Sequence, residues 1–133
     1  MRVSGTVGRR LARAGVVAVA ALVATTGAVA GGTPAFASGH GEGWYQVWGT
    51  NIAVRADTGE QCDLRPGPWN CPTVVTRVSA PQNVYVRCQN STGQVVGGNP
   101  YWVWVNTYDG EFGWMASYYL TNASNRIDGV PDC

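Results

Sequence analysis

The chain has 133 residues, of which 45% are hydrophobic and 13% charged, and it contains no lysine. Four of its nine arginines (Arg2, Arg9, Arg10, Arg13) crowd the N-terminus. Ser38–Cys133 keeps all eight acids against Arg55, Arg65, Arg77, Arg87 and Arg126, a formal charge of −3. That balance lacks the basic footprint that nucleic acid or an anionic lipid surface requires, so neither is an expected partner once the N-terminal segment is removed.

The first 37 residues read as a secretory signal peptide: a basic n-region, an apolar run from Gly15 to Val23 too short to span a bilayer, then small residues. Two Ala-x-Ala sites compete, Ala28-Val29-Ala30 and Ala35-Phe36-Ala37, and cleavage after Ala37 is preferred. Arg9-Arg10 invites a twin-arginine reading, but Leu11-Ala12-Arg13 lacks the bulky apolar pair, which favours ordinary secretion. An uncleaved membrane anchor is the remaining alternative. The expected product is secreted and monomeric.

Ser38–Gly43 is Gly-rich and expected to be disordered. Trp44 to Trp48 reads as a first extended segment, stopped by Gly49, and Ile52 and Val54 alternate in a second. From Ala56 to Pro72 the chain reads as loop, punctuated by Asp57, Gly59, Pro66, Gly67, Pro68 and Pro72. Thr73 to Ser79 is β-branched. Val84-Tyr85-Val86-Arg87-Cys88 alternates with period two, which predicts Val84, Val86 and Cys88 inward and Tyr85 and Arg87 outward. After turns at Asn90–Gly93 and Gly97–Pro100, Tyr101–Val105 places Trp102 and Trp104 opposite Val103 and Val105. Asp109-Gly110 marks a hairpin turn, and Gly113-Trp114-Met115 opens the last strand. No segment past the leader sustains a 3.6-residue period. The prediction is an all-β fold, a small, partly open barrel of five to seven short strands spanning residues 44–120, with a C-terminal tail at 121–133.

Cys62, Cys71, Cys88 and Cys133 are even in number in an exported chain, which predicts two disulfides. A zinc site would want a Cys-x-x-Cys pair or nearby histidines, and the chain has neither, so no metal or other cofactor is expected. Three connectivities are open. Cys62–Cys71, closing the loop around Pro66-Gly67-Pro68, and Cys88–Cys133, tying down the tail, are preferred. The single histidine, His40, lies in the Gly-rich N-terminal stretch, where it cannot be held against a nucleophile. Carboxylate pairs such as Asp57/Glu60 and Asp109/Glu111 fit turns better than acid–base chemistry. The sequence therefore predicts no enzyme.

Tyr45-Gln46-Val47 followed by Ile52-Ala53-Val54-Arg55, then Trp102, Gly113-Trp114-Met115 eleven residues on, and Tyr119-Leu120, resemble the bacterial SH3-like (SH3b) domains. Ala53 departs from the family's usual Asn, and the Asp57–Pro72 loop is longer than usual. The resemblance implies a peptide groove lined by Trp102 and Tyr119, and binding of cell-wall peptides such as the stem or cross-bridge of peptidoglycan. A net-negative groove would accept the amine of a cross-bridge peptide. The competing expectation for Trp102 is a core position, and Trp114 is expected to be core.

Arg55 and Asp57 are candidates for reading charged groups at the groove edge. Trp69, at the tip of the stapled loop, is a candidate contact residue, because a preorganised loop lowers the cost of binding. It motivates an alternative in which the chain is a stand-alone secreted inhibitor or adaptor that grips another protein through the Cys62–Cys71 loop. Carbohydrate binding on the aromatic surface is a third option.

Overall fold

The computed structural model describes residues 36–133; the expected leader falls outside them except for Phe36 and Ala37. Six antiparallel strands form one open sheet: β1 (Gly43–Gln46), β2 (Ile52–Arg55), β3 (Val74–Val78), β4 (Asn83–Asn90), β5 (Trp102–Asn106) and β6 (Phe112–Ala116), in the order β1-β4-β5-β6-β2-β3. The count lies within the predicted five to seven. A short helix, α1 (Glu60–Leu64), and a 3-10 turn at Ser117–Tyr119 complete the elements.

One face of the sheet carries the main core: Val54, Val84, Val86, Val103, Val105 and Met115, each an alternate residue of its strand. The segment after β1 crosses this side. Val47 bridges Leu120, its N–H donates to the Gln82 carbonyl, and Ala80 N–H donates to the Gly49 carbonyl. Gly113 lets β6 approach β2, since a Cβ there would lie 2.5 Å from the Arg55 carbonyl oxygen.

The alternation of β4 breaks within the strand, at a point its residue pattern does not mark. The register shifts between Val86 and Cys88, so Arg87 is an extra residue of a β-bulge. Beyond it the phase inverts. Cys88, predicted inward, turns to the other face, and Gln89 points into the core with 0% of its surface exposed. Its side chain is fully used: Nε2 donates to the Ile127 and Val130 carbonyls (3.0 and 2.8 Å), and Oε1 accepts the Ile127 N–H (2.9 Å). Its backbone pairs with the same tail, accepting from Cys133 N–H and donating to the Pro131 carbonyl. The tail thus delivers Ile127 and Val130 to the core, and Cys88–Cys133 closes it with a Cα–Cα distance of 4.9 Å.

The second disulfide joins Cys62 to Cys71 (Cα–Cα 5.0 Å), so both pairings agree with the preferred connectivity. The predicted Ala56–Pro72 loop contains α1, which carries Cys62. Asp57 Oδ1 accepts the Gly59 N–H at 3.1 Å, a turn that starts the helix, and Glu60 and Asp63 favour its first turn. Five residues of weak period were too few to see in the sequence. The orphan carbonyls at the end of α1 are met by the β4–β5 connection: Asn90 Nδ2 donates to Asp63 O and Thr92 Oγ1 to Leu64 O. The N-terminal stretch expected to be disordered is held as well. Gly41 N–H donates to the Asp128 carbonyl, and the His40 ring stacks on Tyr45 with centroids 4.4 Å apart. The two disulfides point to an oxidising, extracellular environment, and among the described residues no helix is long and apolar enough to cross a membrane.

Replacing Gln89 by Leu leaves the Ile127 N–H and the Val130 carbonyl without partners and the Ile127 carbonyl with only the Val130 N–H. Chemical denaturation of the oxidised protein is expected to show a loss of about 3 kcal/mol, and amide exchange is expected to accelerate at Ile127. A second dependence concerns the β5–β6 turn. Hydrogen bonds from Thr107, and more weakly from Thr76, hold the Asp109 carboxyl below the usual carboxylate range. A depressed carboxyl contributes stability above its unfolded value and loses it as pH falls through the folded one. The link from this turn to β3 should therefore weaken below about pH 4, and Asp109→Asn should flatten that acid limb in a pH-resolved thermal melt.

Candidate functional site

The site lies on the other face of the sheet, which is organised in cross-strand rows. One row runs Asn90, Trp102, Ala116; the next runs Cys88, Trp104, Trp114, Arg55; a third runs Trp44, Tyr85, Asn106, Phe112. The Cys62–Cys71 loop covers the first two. Cys62, Cys71, Trp102, Trp114 and Ala116 form a second core cluster, with Trp104 packed against it edge-on to Trp114 at 5.3 Å. The sheet is therefore buried on both sides over its middle, with valines beneath and tryptophans above.

Trp102 is consequently a core residue more than a groove surface. It is 3% exposed, and its indole N–H donates to the Gln94 carbonyl at 2.8 Å. Only an edge of the ring reaches the groove that forms where the stapled loop meets β2 and the 3-10 turn. This groove, about 260 Å³, is lined by Trp102, Tyr119, Arg55, Arg77, Pro68 and Val96, with Asn51–Ala53 along one side. Three of the residues predicted from sequence, Arg55, Trp102 and Tyr119, thus come together.

The other two do not. Trp69 is 83% exposed at the tip of the loop and borders a separate recess with Arg65, Asn70 and Gln94. Asp57 is exposed and spends a carboxylate oxygen on the turn before α1. Arg77 was missed. Its signal was a lone charge in the β-branched run Thr73–Ser79, where an alternating strand shows an exposed position.

The electrostatics of the groove overturn the expectation of a negative site. Its lining holds two guanidiniums and no carboxylate. Arg55 is positioned by a bulge between Val54 and Arg55 and donates to the Cys71 carbonyl at 3.2 Å; Arg77 donates to the Asn51 carbonyl at 3.0 Å. Each keeps further N–H groups, since a guanidinium has five. Burial, and next the nearby Arg77 charge, push Arg55 below the usual arginine value. Among the described residues the one ion pair is Arg126–Asp132, elsewhere on the surface. Two neighbouring cations without an acid between them are chemically suited to an anion, and the planar fork of a guanidinium matches a carboxylate.

Comparison with protein-family models, curated proteins and solved structures finds no match to the chain.

Truncating the two exposed-looking tryptophans of the sequence should have opposite consequences. Trp102→Ala empties a packed site and is expected to cost about 3–5 kcal/mol, whereas Trp69→Ala should stay within about 0.5 kcal/mol of the parent. Urea denaturation of both variants checks this.

Proposed function

We propose that the protein is a secreted, non-catalytic recognition module of the bacterial SH3-like type that binds cell-wall peptides, acting as a monomer without cofactor. The observation that carries this reading is the pairing of Arg55 and Arg77 in a groove walled by Tyr119 and Pro68. Peptidoglycan stem peptides carry free carboxylates along a short extended backbone. A rigid aromatic wall offers area at little entropic cost, and paired guanidiniums fix the register. The cationic groove favours the carboxylate-bearing stem over the amine of a cross-bridge. His40, the lone histidine, is stacked on Tyr45 and its backbone N–H bonds the Tyr45 hydroxyl, in keeping with a structural role.

A second reading rests on Trp69. An aromatic side chain 83% exposed on a disulfide-closed loop has the character of an anchor for another protein's pocket. In that reading the chain is a secreted inhibitor or adaptor, and the groove is secondary.

The test is co-sedimentation of the oxidised protein with polymer-stripped peptidoglycan, together with titration of a soluble stem peptide. Arg77→Glu and Tyr119→Ala should each weaken binding at least about tenfold, and amidating the peptide carboxylates should do the same. Trp69→Ala should leave wall binding unchanged. Absence of pelleting, with a secreted protein captured in a Trp69-dependent manner, would transfer the function to the loop.

A further inference from the structure

A second recess, of about 420 Å³, opens beside the groove on the far side of the 3-10 turn. Its wall is aromatic. Trp48 (38% exposed) meets Tyr118 (36% exposed) edge-on at 5.1 Å, and the Trp48 indole N–H donates to the Tyr118 carbonyl at 2.8 Å. Both rings also contact Tyr119, the groove's wall, at 5.5 and 5.1 Å. Gly97, at φ +56°, backs Tyr118 so closely that a Cβ would lie 2.3 Å from its ring, which holds the tyrosine in place. Phe36 borders the recess in the unprocessed chain.

The rest of the lining is polar and uncharged: Asn99, Ser117, Asn122, Ser124 and Asn125 contribute amides and hydroxyls, and no acid or arginine takes part. Asn122 is held from the protein side. Its Nδ2 faces the Ser124 and Arg126 carbonyls at 2.6 and 3.4 Å, which fixes the amide's orientation. Its Oδ1 is then buried with no donor, a condition that buried polar atoms rarely tolerate.

We infer that this recess binds a pyranose sugar, and specifically an N-acetylated amino sugar of a glycan strand. Aromatic rings accept the apolar C–H face of a pyranose, and neutral amides and hydroxyls pair with its hydroxyl rim. Asn99, Ser117, Ser124 and Asn125 offer the amides and hydroxyls with which a sugar's O–H groups and acetamido N–H would pair. A lining without charge disfavours phosphates, carboxylates and amines, because none would find a counter-charge. The inference rests on the wall-peptide reading in one respect: the shared Tyr118–Tyr119 wall places a sugar subsite next to the carboxylate groove, as a stem peptide joined to its glycan requires.

The experiment is a titration of the exported, oxidised protein with a chitin trisaccharide, followed by tryptophan fluorescence and amide chemical shifts, with cellotriose and a free stem peptide as parallel ligands. Saturable chitotriose binding is expected, with shifts at Asn122 and Tyr118 and at least tenfold weaker binding of cellotriose. Trp48→Ala should reduce chitotriose affinity at least tenfold. Asn125→Phe, a change at an exposed position that blocks the mouth without removing a wall, should do the same in a protein with unchanged melting temperature. Arg77→Glu should leave chitotriose binding intact while lowering stem-peptide binding. No saturable chitotriose binding, or binding untouched by Asn125→Phe, overturns the inference even if the peptide binds. Equal affinity for cellotriose overturns the acetamido assignment. Sugar binding without peptide binding sustains the recess and removes the groove reading instead.

Discussion

The amide of Gln89 is held inside the core between the sheet and the C-terminal tail, and most of the structure's order follows from how it got there. A single extra residue, Arg87, inverts the phase of β4, and the inverted strand turns a polar side chain inward. Buried alone, that amide would be costly. It is satisfied because the tail supplies two carbonyls and one N–H, and the tail stays because Gln89 binds them. Ile127 and Val130 then cover the valines of the sheet, and Asp128 in turn anchors Gly41. Cys88–Cys133 reinforces an arrangement whose specificity lies in the hydrogen bonds.

The same bulge shapes the other face. By turning Cys88 outward it brings that residue into the same row as Trp104 and Trp114, beneath the Cys62–Cys71 loop. A loop with its own disulfide and a single turn of helix would have little reason to lie flat. It is tied down by Asn90 and Thr92 at the end of α1, by Gln94 N–H on the Pro66 carbonyl, and by Arg55 on Cys71. The tryptophans that a sequence reading offers to a ligand are thereby used to seat the loop. What stays open at the surface is the seam along the loop's edge, where Tyr119, Pro68 and two arginines meet, and the aromatic corner around Trp48 and Tyr118 beyond it.

Local charge, and not the net charge of the chain, decides what that seam attracts. The domain is acidic as a whole, yet Asp57, Glu60 and Asp63 sit around the start of α1 and none of them lines the groove. A bulge in β2 and an alternate position of β3 bring Arg55 and Arg77 together from strands that are neighbours in the sheet. The adjoining recess has no charge at all. Two chemically different surfaces meet at the contact between Tyr118 and Tyr119.

Composition and alternation by themselves determined that this is an all-β chain, where most strands begin and end, that it carries two disulfides, and that Val84 and Val86 face inward. Those are consequences of short-range sterics and period-two burial, which every strand declares in its own residues. The site was half legible: Arg55, Trp102 and Tyr119 do converge, but Asp57 and Trp69 lie elsewhere and Arg77 joins them from β3. Only the tertiary structure decided that Gln89 is interior, that Trp102 is floor rather than wall, and that the groove is cationic. A β-bulge changes the facing of every residue after it without leaving a mark on the pattern before it, and the company a charge keeps is set by strand order, which no single strand encodes.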